Sequence, residues 1–233
     1  MPEPAHSRRA ELQAGIKAEL PILLGVVPFG MIYGVLALQA GLPVSAAQAM
    51  SAVVFAGSSQ FMAVQLVGSG APALVLVLSM FVINLRHALY SASVAPYLSR
   101  LPLRWRGLLA YLLTDEAYAV TITHYQQVNP APLGHWFFLG AGLTLWSGWQ
   151  ISTAVGIFLG AQIPPGWSLD FTLALTFIAL LVPSLKDRAG AVAALTAGVM
   201  AVLAFALPYK LGLVAAALVG IAAGLFVEKR WPR

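Results

Sequence analysis

The sequence predicts an all-α polytopic membrane protein of about seven to eight hydrophobic helical segments, some of them broken or re-entrant. Three observations predict it. Of the 233 residues, 60% are hydrophobic and only 9% charged, with a mean hydropathy of +0.84. A soluble domain is nearer ~25% charged, so lipid has to cover this surface. The apolar residues fall into stretches near 20–40, 44–67, 71–97, 106–127, 136–161, 169–185, 189–207 and 211–228. A helical span needs ~20 residues, which most of these supply and which 169–185 and 211–228 only approach. Two stretches, 44–67 and 106–127, carry polar clusters where lipid should be.

The first residues, 1–19, read as a cytoplasmic or interfacial segment, with Glu11 to Glu19 an interfacial helix leading into the first span. The apolar run Leu20 to Leu38 is as long as a span, whereas the core of a cleaved signal peptide has ~7–15 residues. The connections are short and rich in turn residues: Gly41-Leu42-Pro43, Gly68 to Pro72, Asn129 to Pro132 and Pro164-Pro165-Gly166. Residues 1–233 therefore read as a single integral membrane domain. Cysteine is absent, which excludes a disulfide framework and thiolate metal sites.

The net charge of +5 does not point to nucleic acid. The basic residues sit in short groups beside apolar runs: Arg8, Arg9 and Lys17; Arg100, Arg104 and Arg106; Lys186 and Arg188; Lys229, Arg230 and Arg233. Lys and Arg resist translocation and mark cytoplasmic loop ends. With the N-terminus inside and every segment crossing, the basic loop at 97–106 falls outside, against that tendency. It returns inside if one of the first three segments fails to cross. A second failure among 106–127, 136–161 and 169–185 brings the later basic groups inside as well. Charge and polarity thus point at the same two segments, 44–67 with "AGSSQ" and 106–127 with "TDEAY", as broken or re-entrant. Non-helical backbone at membrane depth is tolerated only where protein or a watery cavity surrounds it.

The pairs Gly30/Gly34, Gly156/Gly160 and Gly220/Gly224 have the spacing that lets helices approach closely, and internal packing is their expected use. Ionisable groups are concentrated in two places. At helical spacing Arg86, Tyr90, Ser93 and Tyr97 share one face, with Asn84, His87 and Ser91 on an adjacent one. In the next segment Tyr111, Asp115 and Tyr118 share a face, with Glu116 and Thr123 on another. Buried charge is costly unless paired. Arg86, protonated at any accessible pH, is expected to pair with Asp115 or Glu116, leaving the other acid free to titrate. His124 and His135 are expected near a turn, Asp170 as a cap, and Trp146 and Trp149 in ordinary packing. No enzyme signature, cofactor motif or metal-ligand spacing is present in the sequence, so neither a cofactor nor a metal is expected.

The motifs "VPFGMIYG" (27–34), "FAGSSQF" (55–61), "NLRHALYSASVAPYL" (84–98), "LTDEAYAV" (113–120) and "FIALLVP" (177–183) resemble, in this order, the AzlC family, the large subunit of bacterial branched-chain amino acid exporters. The resemblance implies export of leucine, isoleucine, valine and methionine, energised by the proton motive force, with a small AzlD-type membrane subunit as partner. It also implies a multi-pass protein of the bacterial cytoplasmic membrane. A zwitterionic substrate needs donors, acceptors and an apolar slot, and a helix break exposes free backbone groups of both kinds. The expected substrate set is Phe55, Gly57, Ser58, Ser59, Gln60, Phe61 and Asn84. The expected proton-coupling set is Arg86, His87, Tyr90, Asp115, Glu116 and Tyr118. A passive channel for small solutes and a non-transporting anchor or sensor subunit are the other classes that the composition allows.

Overall fold

The computed structural model describes residues 7–128, 133–162, 185, 187–208 and 211–230. Regular structure among them is entirely helical: α1 (Arg8–Gln39), α2 (Val44–Val54), α3 (Gly57–Gly68), α4 (Ala73–Leu98), α5 (Leu103–Tyr111), α6 (Asp115–Gln127), α7 (Gly134–Gly160), α8 (Arg188–Leu203) and α9 (Leu211–Arg230). By length and composition α1, α4 and α9 are each able to cross a membrane. The expected all-α membrane fold is what is found. Both segments singled out by charge and polarity are broken, the first into α2 and α3 and the second into α5 and α6. The expected segment 169–185 and the expected cap Asp170 lie, Leu185 apart, outside the described residues.

Local chemistry explains the boundaries. Ser7 starts α1 by accepting from the Ala10 N–H at 3.1 Å. Gly41, at φ +85°, ends it, with the Leu42 N–H donating to the Ala37 carbonyl and the Gly41 N–H to Leu38. Prolines 43, 72 and 102 precede α2, α4 and α5, where their missing N–H costs nothing. Thr114 caps α6, whose first turn carries Asp115 and Glu116 against the positive end of the helix dipole.

The chain divides into two compact units, one of Met1–Val64 with Ile83–Ile163 and the other of Gln65–Val82 with Pro164–Arg233. The first is built on α1 and α7, which run parallel and very close. Gly30 meets Ser152, Gly34 meets Thr153 and Ile157, Gly156 meets Met31, and Gly160 meets Val35. A side chain at any of these four positions would collide with the neighbouring helix. The two glycine pairs therefore serve the internal packing expected of them. The stretch read as an interfacial lead-in is continuous with the first span: Glu11, Gly15 and Glu19 are buried on one face of a single 32-residue helix. In the second unit, α8 and α9 pack antiparallel, with Gly212 against Ala204 and Gly220 and Gly224 against Ala193.

Contacts fix the helix directions in the first unit. The Arg8 guanidinium lies over the Trp136 ring at 5.8 Å, and the Trp105 ring meets those of His135 and Trp136 at about 5 Å. The starts of α1, α5 and α7 thus share one end, together with Arg8, Arg9, Arg100, Arg104 and Arg106. α4 runs towards this basic end. α6 runs parallel to α4, with Arg86 on Asp115, Tyr90 stacked on Tyr118 at 4.7 Å and Tyr97 stacked on Tyr125 at 4.6 Å. Since α5 enters from the basic end and α6 returns to it, residues 103–127 form a re-entrant hairpin. The α2–α3 pair is its counterpart. α2 begins beyond the far end of α1, and the first turns of α3 run opposite to α4, with Ser58 on Arg86 and Ser59 on Asn84. One hairpin dips in from each end, and their breaks meet midway.

Candidate functional site

The first break is made by Phe55, which adopts the left-handed conformation at φ 43°. That geometry is rare for a bulky residue and ends α2 after 11 residues. A helix stopped there leaves its last carbonyls without partners, and side chains from other elements supply them. The Gln150 amide donates to the Ser51 carbonyl at 3.1 Å, and the Tyr111 hydroxyl donates to the Ala52 carbonyl. Gln48 donates to Gln150 at 2.9 Å, and Ser51 and Thr153 share a hydrogen bond at 3.0 Å. The Phe55 ring lies 6.1 Å from the Tyr111 ring, and the Tyr111 hydroxyl also accepts from Trp146 Nε1 at 2.6 Å. Tyr111 is the last residue of α5. The two breaks are thus tied to each other and to α7.

Beyond the break, α3 starts with Gly57, Ser58, Ser59 and Gln60. Gly57 lies under the Trp149 ring, where an added Cβ would stand 3.2 Å from the ring edge. Gln60 is fully buried; its Oε1 accepts from Trp149 Nε1 at 3.1 Å, while its Nε2 has no hydrogen-bond partner among the described residues. Ser59 donates to Asn84 Oδ1 at 2.6 Å. Phe61 is buried against Phe29 and Tyr33, at 5.5 and 6.1 Å, and Tyr33 stacks on Trp149 at 6.2 Å. The Tyr33 hydroxyl donates to the Ala47 carbonyl at 2.9 Å.

Arg86 joins the two breaks. Its Nη1 donates to Asp115 Oδ2, and its Nη2 donates to Ser58 Oγ at 2.7 Å, while its buried Nε has no partner among the described residues. One planar fork therefore spans the first residue of α6 and the second residue of α3. Of the two acids that could have paired with Arg86, Asp115 is the one that does. The rest of the face expected on α4 also meets α6, since Tyr118 donates to Ser93 at 3.0 Å. His87 lies within 3.2 Å of the Asn84 carbonyl and 5.9 Å from the Tyr90 ring.

Every residue of the two expected sets lies in the first unit, around the meeting point of the breaks. Trp146 and Trp149, expected in ordinary packing, also hydrogen-bond to residues at the breaks, Trp149 from the buried core. His124, expected near a turn, lies in the last turn of α6, where it pairs with Glu11 at 3.0 Å and stacks on Phe137 at 3.8 Å. Glu19, expected only as the end of an interfacial helix, is fully buried. The signal that could have found it is the spacing Glu11, Gly15, Glu19, two acids on one face of a helix that otherwise reads as a plain span.

Known proteins place the chain. It is 32% identical over 223 residues to an uncharacterized membrane protein of Archaeoglobus fulgidus, covering 92% of this chain and 94% of the relative. It is 27% identical to inner membrane protein YgaZ of Escherichia coli K12, over 89% of this chain and 87% of the relative. It is 25% identical to the branched-chain amino acid transport protein AzlC of Bacillus subtilis, over 76% of this chain and 70% of the relative. No solved structure matches it. The family described as AzlC protein matches residues 21–163, a stretch that begins at Pro21 in α1 and takes in both helix breaks and the whole of α7. The chain belongs to the AzlC family of membrane transport proteins.

Proposed function

We propose that the protein is a secondary-active exporter of branched-chain amino acids, leucine, isoleucine and valine with methionine, driven by the proton motive force. It works in the bacterial cytoplasmic membrane as one integral membrane domain, its basic end and N-terminus in the cytoplasm, beside a small AzlD-type subunit. The observation that carries this function is the meeting of two oppositely directed helix breaks at Arg86. Discontinuous helices at mid-depth are how many secondary transporters build a site for a charged, small substrate. The N-termini of α3 and α6 bring two positive dipole ends to one place. The Gln60 amide and Arg86 Nε are buried donors with unused capacity, suited to a substrate carboxylate. Asn84, Asp115 and the carbonyls at Phe55 suit an ammonium group, and Phe55, Phe61 and Met62 suit a branched apolar side chain. The name of the Bacillus subtilis relative, a branched-chain amino acid transport protein, supports the substrate class.

The test is reconstitution into lipid vesicles with and without the small subunit. Counterflow of labelled leucine is expected, and an imposed pH gradient is expected to drive leucine uphill until a protonophore stops it. Downhill flux alone would make the protein a passive channel. No flux of any hydrophobic amino acid would make it an anchoring or sensing subunit.

A further inference from the structure

α1 and α6 lie antiparallel, and where they meet α7 a file of polar groups is buried inside the protein. On α1 the buried positions are Glu11, Gly15 and Glu19; on α6 they are Ala117, Thr121 and Tyr125. Each set repeats every four residues, so each is one face of its helix, about 12 Å from end to end. At the basic end, Glu11 Oε2 meets His124 Nε2 at 3.0 Å, and Glu11 also acts electrostatically on Tyr125. Midway stands the Thr121 hydroxyl. At the inner end is Glu19, on which Glu116 acts electrostatically, and Glu116 is the neighbour of Asp115.

Three side chains along this file have unused polar atoms. Both carboxyl oxygens of Glu19, the Thr121 hydroxyl and the Tyr125 hydroxyl are buried and without a hydrogen-bond partner among the described residues. A lone ionised carboxylate in an apolar site costs several kcal/mol, so a proton at Glu19 can leave only when a partner or water is brought to it. Such a group links its proton to the arrangement of the helices around it. Glu116 is the titratable group of α6 that acts on Glu19. The other helices packed on α1, namely α2, α3 and α7, contribute no Asp, Glu, Lys or Arg, and their one titratable side chain, His135, lies at the basic end.

We propose that Glu19 is the proton-carrying group of the protein, loaded from the basic end past Glu11–His124, Tyr125 and Thr121 and exchanging its proton with Glu116 beside the Arg86–Asp115 pair. This rests on the transport function above and adds its coupling site. The proton moves from a carboxyl oxygen of Glu19 to a carboxylate oxygen of Glu116, and no other bond changes. Release at Glu116 then alters the charge that Arg86 and Asp115 see, at the point where the two hairpins are joined.

Glu19→Gln separates the two statements. Wild-type protein in vesicles has to perform leucine counterflow, or the transport function itself fails. With counterflow present, Glu19→Gln is expected to keep exchange, which needs no net proton movement, and to lose at least about tenfold of pH-gradient-driven uphill export. Unchanged uphill export would overturn the role of Glu19 while leaving transport standing. Loss of exchange and uphill export together, in protein that still inserts, would also overturn it, since Glu19 would then serve the substrate step or packing. Infrared difference spectroscopy of the purified protein gives a readout independent of transport. A protonated-carboxyl band that titrates in the wild type is expected to vanish in Glu19→Gln, and its persistence would overturn the assignment. Should Glu19→Gln fail to insert, Tyr125→Phe is expected to slow uphill export with exchange intact, and equal slowing of both would count against the file.

Discussion

At the residue scale, Arg86 decides the most. Its guanidinium holds Asp115 and Ser58 at once, so it staples the starts of two helices that chain connectivity leaves apart. Lysine carries the same charge on a compact head and cannot present two parallel donors. Arg86→Lys is expected to lower leucine export by about tenfold or more while the protein still inserts, measured in vesicles at matched protein content. Gln60 makes a second test. Gln60→Leu removes the unused Nε2 donor and also strands Trp149 Nε1, so a stability loss of about 1–2 kcal/mol in thermal unfolding should accompany it. The KM for leucine is expected to rise about tenfold with kcat little changed, and an unaltered KM would return Gln60 to a packing role. Most of these residues were legible in the sequence, because Arg, Asp and Gln inside an apolar stretch have a cost that only a partner offsets. The choice of Asp115 over Glu116 was not legible, since both acids lie in the first turn of α6 and only the placement of α4 separates them. Glu19 stayed hidden for a related reason: near the start of a long helix, a carboxyl reads as wet until the helices that cover it are known.

At the element scale, the close packing of α1 on α7 sets the tolerance of the fold. A Cβ at Gly34 would stand 2.5 Å from the Thr153 carbonyl and 2.6 Å from the Ile157 nitrogen, backbone that cannot yield. Gly34→Leu is expected to destabilise the protein by roughly 1–3 kcal/mol or to prevent insertion, seen in thermal unfolding in detergent. On the same helix an added Cβ at Gly25 meets nothing within 4 Å, so Gly25→Leu is expected to leave the melting temperature unchanged. The glycine spacing exposed this contact in advance because small residues four apart have one common use in lipid. The breaks were legible too, through polarity and charge balance. Their cause at Phe55 was not, since nothing about a phenylalanine announces a left-handed backbone. The re-entrant course of α5 and α6 has a direct test. With no native cysteine, each introduced thiol is the only one. Arg104→Cys and Gln126→Cys are expected to react with an impermeant maleimide from the same side of the membrane, and Ser45→Cys from the other. Labelling of positions 104 and 126 from opposite sides would mean that this stretch crosses.

At the scale of the whole molecule, the first unit sets one long helix and one broken hairpin against a second long helix and hairpin of opposite direction, and α7 closes the group. Sequence comparison within the chain does not reveal this. Packing constrains small and polar residues at a few points only, and many of the exposed positions of the helices are Leu, Val or Phe. The basic residues pointed only to its two broken segments, because the side on which a loop emerges is a property of the whole arrangement rather than of one segment. A further consequence is electrical. The hairpin arms, α2, α3, α5 and α6, have 9–13 residues each, so each reaches through about half of a ~30 Å hydrocarbon core. Where water follows both hairpins inward, the voltage across the membrane falls over the thin partition at their tips instead of over the full thickness. A charge displaced by a few ångströms there traverses most of the field, worth about 2.3 kcal/mol per elementary charge for each 100 mV. In that case the place where the two breaks meet is also where the membrane potential has its strongest grip on the protein.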